Sequence, residues 1–386
     1  MSLYLDYAAT TPLDGGVKKE MARAEAVFAN PASFHEAGRK ARDLLDGARQ
    51  SIAQILSVKT EEIIFTGSGT ESINLAILGV ARANRNFGNH IVTTNIEHFA
   101  VLKSCQQLER EGFEITYVPA EKNGIVDSAR LERSLKKETI LVSVMQANNE
   151  IGTLQPIRRL GQMLQDMRRE TGQRYPYFHT DACQATGALN VNPHSLNVDL
   201  LSFNGSKIYG PKGVGALFVR RGLHLQPIIF GGSQERGLRA GTESVVLAIG
   251  LATALKITYA RQEQDGSTLS KLRDEAIKEI LETIHFSELN GHPQKRLPNN
   301  LNISFKHVEG EMLTTYLSDR GIYVSTGSAC TTTATGPSHV IRALGVNTRE
   351  WGNIRITLGR ETTKWDLKKL VKNLETGVNY LRRLKK

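Results

Sequence analysis

The chain is expected to fold as an α/β protein, with a mainly parallel seven-stranded sheet in a large domain and a smaller α+β domain after it. Two observations predict this. Short β-rich runs alternate with longer helix-like segments up to residue 219, and the pattern then changes to one long helical stretch followed by two isolated β-like runs. Strands separated by helices are joined by crossovers, which make neighbouring strands parallel and cover both faces of the sheet.

The seven runs fall at residues 62–65, 91–94, 114–118, 140–145, 177–180, 198–203 and 215–219. Each is short and rich in residues that suit strands. The helical stretch spans 242–284, and the later β-like runs are 301–305 and 353–357. The large domain is accordingly placed at residues 15–259 and the small one at 260–386 together with 1–14, with the boundary near Ala260. Segment 325–337 is made of small residues with little to bury and reads as a mobile loop.

With 386 residues and 40% hydrophobic content, the chain has enough apolar surface for a two-domain core. No apolar run approaches the roughly 18 residues a membrane span needs. The N-terminal stretch has neither a basic n-region nor an apolar h-region. Three scattered cysteines, Cys105, Cys183 and Cys330, suggest no disulfide framework and no metal site. A reducing, cytoplasmic setting is therefore expected. The net charge of +10 is dispersed apart from Arg382, Arg383, Lys385 and Lys386, which read as a solvated helix end, so nucleic acid is not an expected partner.

Chemistry is concentrated just after the β-like runs, where α/β sheets collect their ligands. Gly67-Ser68-Gly69-Thr70-Glu71-Ser72 stands between a strand-like and a helix-like run. Backbone N–H groups and the Ser68 and Thr70 hydroxyls suit a phosphate there. The same residues read equally as an ordinary helix cap. Asp181 ends another run, and Ser206-Lys207 sits in a glycine-dense turn after the next. An aspartate facing a pyridine nitrogen keeps it protonated, while a lysine amine holds an aldehyde as a Schiff base.

Taken together, Asp181 with Gln184, the run from Phe203 through Lys207 to Gly213, Glu97-His98, and Gln146-Ala147-Asn148-Asn149-Glu150-Ile151-Gly152 resemble the fold-type I pyridoxal-phosphate enzymes. More narrowly, the chain resembles the NifS/IscS group of cysteine desulfurases, a branch of the class-V aminotransferase superfamily. Leu5-Asp6-Tyr7-Ala8-Ala9-Thr10-Thr11-Pro12, Arg239-Ala240-Gly241-Thr242, Ser328-Ala329-Cys330 and Ile341-Arg342-Ala343-Leu344-Gly345 carry that narrowing. The motifs stand in family order over nearly the whole chain.

The resemblance implies roles residue by residue. Pyridoxal 5'-phosphate is the implied cofactor, with Lys207 as its covalent anchor and Asp181 as the partner of its ring nitrogen. Asn149 and Gln184 would contact the ring's phenolic oxygen, and His98 would stack on the ring and help move protons. Gly69, Thr70, Asn204, Gly205 and Ser206 would form the phosphate cradle, joined by Thr242 from a second subunit of a homodimer. Arg355, with Asn30 and Asn149, would hold the carboxylate of the substrate, L-cysteine. Cys330 would take the substrate's sulfur as a persulfide and pass it to a sulfur-acceptor protein, an iron–sulfur scaffold or another carrier; transient ligation of an iron–sulfur cluster by Cys330 is part of the same expectation.

From its surroundings alone, Arg355 faces either solvent or a cleft, since it alternates with Ile354 and Ile356. His98 reads otherwise as a buried structural histidine, and Cys105 and Cys183 as small core hydrophobes. Two positions depart from the family pattern: Ser206 replaces a histidine common before the lysine, and Thr335-Gly336 replace a Leu-Glu pair before Pro337. A selenocysteine lyase would share the cofactor site and differ in its need for Cys330.

Overall fold

The computed structural model describes residues 2–327 and 337–384, so Cys330 and the Thr335-Gly336 departure lie outside the described residues. In chain order the strands are β1 (Leu3–Tyr4), β2 (Ile63–Thr66), β3 (His90–Thr94), β4 (Glu114–Val118), β5 (Thr139–Ser143), β6 (Tyr177–Asp181), β7 (Leu200–Asn204), β8 (Gly215–Val219), β9 (Ser287–Leu289), β10 (Asn300–Lys306), β11 (Ile322–Tyr323) and β12 (Trp351–Thr357). Seven of them form one sheet in the order β2-β8-β7-β6-β5-β3-β4. All are parallel except β8, which runs against β2 and β7.

Period-two alternation divides the core of this sheet in two. Ile64, Ile91, Leu141, Tyr177, Leu200 and Leu217 pack on one face, and their neighbours Phe65, Val92, Val142, Phe178, Leu201 and Phe218 pack on the other. Because both faces are covered, the central strands are buried from end to end, their polar residues gathering toward the carboxyl ends, as in His179-Thr180-Asp181 of β6. Helix α1 (Gly15–Ala24), α2 (Glu36–Leu56), α3 (Gly69–Ala83) and α4 (Phe99–Arg110) supply much of that cover.

A second core lies around the sheet β12-β10-β9, where Leu301, Ile303, Phe305, Ile354 and Ile356 pack with Leu370, Leu374 and Val378 of the helix Lys364–Leu384. Leu3 and Leu5 join this core, and β1 pairs in parallel with β11. The helix Val245–Thr283, capped by the Ser244 hydroxyl, serves both cores. Its first half contributes Val245, Ala248 and Leu251 to the large core, and its second half Leu269, Ala276 and Ile280 to the small one. It runs unbroken through Ala260, where the boundary between the two domains was expected.

Strand ends differ from the sequence reading by at most two residues. Asn197, in the left-handed conformation after a short helix, delays β7 until Leu200. Ser325, where a loop was expected to begin, exchanges backbone hydrogen bonds of 3.1 and 2.6 Å with Arg355, and residues 328–336 of that expected loop lie outside the described residues.

Candidate active site

Strands β2, β3, β5, β6 and β7 share one direction, so the turns that follow them meet at one edge of the sheet. Those turns carry Gly67–Thr70, His98, Asn149, Asp181 and Lys207 in that chain order.

Gly69 and Thr70 open α3. Ser68 caps it, its hydroxyl oxygen accepting from Glu71 N at 3.1 Å. The helix-cap reading is therefore observed, and a cap of this kind leaves the remaining first-turn N–H groups for a further acceptor. A Cβ at Gly69 would lie 2.6 Å from Cys183 Sγ and 2.8 Å from Asn204 Nδ2, so only glycine lets this turn approach the ends of β6 and β7.

Asp181 is buried at the end of β6, and its Oδ1 accepts from Cys183 N at 2.9 Å. Burial holds the Cys183 thiol well above its usual range, and Cys105 likewise, which suits both to the core and to no nucleophilic role. Below Asp181, His179 is enclosed between Ser143 Oγ (2.8 Å) and Ser202 Oγ (3.0 Å), and burial pulls it down to about 4, so it is neutral.

His98 is half-buried and caps α4, with Nδ1 accepting from Ala100 N at 3.1 Å. That bond puts the proton of the neutral ring on Nε2. Of the two adjacent asparagines, Asn148 spends its amide on the loop: Oδ1 accepts from Glu150 N and Ile151 N, and Nδ2 donates to Ile96 O. Asn149 is the member of the pair whose side chain can serve a ligand.

Residues 6–11 tie these pieces together, a role the sequence did not disclose. Arg355 Nη2 donates to Asp6 Oδ1 at 2.7 Å, Gln184 Nε2 to Ala8 O at 3.0 Å, Lys207 Nζ to Ala9 O, and Thr11 N to Ser206 O at 2.9 Å. Three of these four partners on the segment are backbone groups, Ala8 O, Ala9 O and Thr11 N, which any residue type but proline presents, so no local signal could have announced them.

Arg355 is only 1% exposed, which overturns the solvent-facing alternative. Its Nη1 donates to Asn149 O at 3.1 Å, and its buried Nε has no partner among the described residues. A buried donor left unpaired is costly unless a ligand takes it. Asn30 is exposed and its Oδ1 accepts from Ala32 N within its own turn; no described contact brings it to Arg355. Thr242 is exposed just before the helix Val245–Thr283, and Ser206 Oγ lies 3.4 Å from Asn204 Oδ1.

Glu97, missed as a contributor in its own right, is fully buried behind His98. Its carboxylate accepts from Thr94 Oγ1 at 2.7 Å and Met145 N at 3.0 Å, joining the ends of β3 and β5. Burial, helped by nearby Asp181, pushes its pKa up to about 8. Between the ordinary carboxyl range and that value, the folded chain keeps a proton that the unfolded chain has released, so this group's contribution to stability falls as pH rises. Glu97→Gln should therefore gain in Tm relative to the parent between pH 5 and pH 8 in calorimetric scans. An unchanged Tm difference across that range would mean that the carboxyl is ionised in the fold.

The donor set matches the chemistry of a phosphorylated pyridine aldehyde: a helix N-terminus with hydroxyls, a buried carboxylate, two amides and an amine at one sheet edge. Among the described residues no cluster of three or more metal-ligating side chains occurs, and no helix is long and apolar enough to cross a membrane.

Comparison with known proteins agrees with this arrangement. Residues 3–370 match the family model for class-V aminotransferases. The chain is 46% identical to cysteine desulfurase IscS of Dictyoglomus turgidum, covering 98% of this chain and 95% of that one. It is 43% identical to cysteine desulfurase IscS of Methanosarcina thermophila, covering 99% and 93%. A solved NifS-like protein superposes with a TM-score of 0.91 at 35% identity, covering 98% of this chain and all of the other.

Proposed function

The chain belongs to the class-V aminotransferase family, and on that premise we propose that it is a pyridoxal-phosphate-dependent cysteine desulfurase that converts L-cysteine to L-alanine. The observation that carries this reading is the placement of Asp181 at the end of β6 and of Lys207 in the turn after the adjacent β7, with Lys207, Gln184 and the buried Arg355 linked through residues 6–9.

Bound pyridoxal phosphate supplies an electron sink for the bonds at the substrate's α carbon. The N-terminus of α3 with Gly69 and Thr70, and the turn Asn204-Gly205-Ser206, would hold the phosphate. The Ser206 hydroxyl donates there without the positive charge that a histidine could add. Asp181 would keep the proton on the ring nitrogen, Asn149 and Gln184 would donate to the ring oxygen, and His98 would cover the ring face with its Nε2 proton at hand. Lys207 would hold the cofactor through Nζ and, once displaced by the substrate amine, take the α proton on the same atom. Arg355 would orient the substrate by its carboxylate, with the unpartnered Nε as the available donor.

The Cys330 thiolate then attacks the substrate sulfur. An S–S bond forms as the C–S bond breaks, and the bonding pair stays on the β carbon, which takes a proton and leaves in alanine. The persulfide goes on to a sulfur-acceptor protein, for iron–sulfur clusters or another thio-product. Thr242, exposed in the single chain, would reach the phosphate of a second copy in a homodimer acting in the cytoplasm.

A single turnover with L-cysteine tests this. Alanine and protein-bound persulfide should appear in equal amounts; pyruvate in place of alanine, or no product at all, would reject the reading.

A further inference from the structure

Glu71 stands in the first turn of α3, beside the turn that would receive the phosphate. A carboxylate at a helix N-terminus stabilises the helix, but it repels any second anion drawn to the same end. Its two oxygens are both engaged. Oε2 accepts from Gly67 N at 2.9 Å and Oε1 from Arg239 Nε at 3.0 Å, with the two side chains 17% and 28% exposed. A Cβ on Gly67 would lie 2.7 Å from Glu71 Oε2 and 3.5 Å from Arg239 Nη2, so residue 67 must be glycine for this ion pair to close over it.

The stretch of loop just before Arg239 is fastened separately. Glu235, buried and with positive φ like its neighbour Arg236, makes a two-pronged ion pair with Arg49 at 2.6 and 2.7 Å and accepts from Phe65 N on β2 at 2.9 Å. Non-glycine residues in that backbone region are strained, and here the buried ion pair holds them there. The loop that carries Arg239 is thus fastened to the same strand that leads into the phosphate turn.

We propose that Arg239 is a positioning and charge-compensating residue: it neutralises Glu71, so that the N-terminus of α3 can be rigidly capped by a carboxylate and still accept a phosphate dianion. This rests on the cofactor reading above. Its signature is non-additive. Without Arg239, the Glu71 charge faces the phosphate uncompensated, and removing that charge as well should restore binding.

The test is the affinity of cofactor-free protein for pyridoxal phosphate, and for pyridoxal, in the parent, Arg239→Gln, Glu71→Gln and Glu71→Gln/Arg239→Gln, with thermal melts of each cofactor-free form. Arg239→Gln should weaken pyridoxal phosphate binding about tenfold or more while leaving pyridoxal within about threefold, as expected for a like-charge repulsion. The double variant should recover most of the loss. A double variant no better than Arg239→Gln, or equal losses for pyridoxal and its phosphate, would show a merely structural contact and overturn the proposal. An Arg239→Gln protein that is unfolded without cofactor while the double variant folds would likewise show a structural ion pair and overturn the proposal. If the parent itself takes up no pyridoxal phosphate, the cofactor reading fails instead.

Discussion

Lys207→Ala is expected to purify without covalently held cofactor and to lose turnover by a factor on the order of 10⁴ or more, the scale seen when a reacting group is removed from an active site. The reason is positional. Lys207 follows β7 on the three-residue turn Gly205–Lys207, and its Nζ is drawn inward to Ala9 O. The only nearby substitute along the chain, Lys212, is exposed beyond Gly210-Pro211. Borohydride treatment followed by mass measurement checks this. A cofactor adduct still fixed to the chain of the variant would mean that another amine is the anchor.

Cys330→Ser separates cofactor chemistry from sulfur transfer. It removes the sulfur nucleophile and leaves Lys207, Asp181 and Arg355 in place, so the variant should bind cofactor and respond spectrally to cysteine. Alanine production should fall by roughly 10³-fold or more, since a hydroxyl at neutral pH cannot replace a thiolate as nucleophile. Neither other cysteine can substitute, because burial holds both thiols protonated. Near-normal alanine release from the variant would exclude Cys330 as the acceptor and favour an eliminating enzyme of the selenocysteine lyase kind.

Both experiments address residues that the sequence singled out by type and position. Lys207 stood in a glycine-dense turn and Asp181 at a strand end, and local pattern finds such residues because turns and strand ends are local features. Arg355 shows where that stops. Its alternation with Ile354 and Ile356 left solvent and cleft equally open, and only contacts with Asp6 and Asn149, distant in the chain, decided for the interior. The same holds for Asn148 and Asn149, which are indistinguishable as letters, while the fold commits the Asn148 amide to bracing the loop.

By itself the sequence determined the α/β class and the seven strands of the main sheet to within two residues, and it singled out the candidate reacting side chains. Those properties follow from periodicity, turn chemistry and family motifs, each confined to a short stretch of chain. The tertiary structure alone decided that residues 6–11 bind Gln184, Ser206, Lys207 and Arg355 into one site, that a single helix serves both cores across Ala260, and that Glu71 needs Arg239. These are pairings between residues far apart in sequence, made through backbone groups and through charges whose partners are chosen by how the chain packs, and no local pattern encodes them.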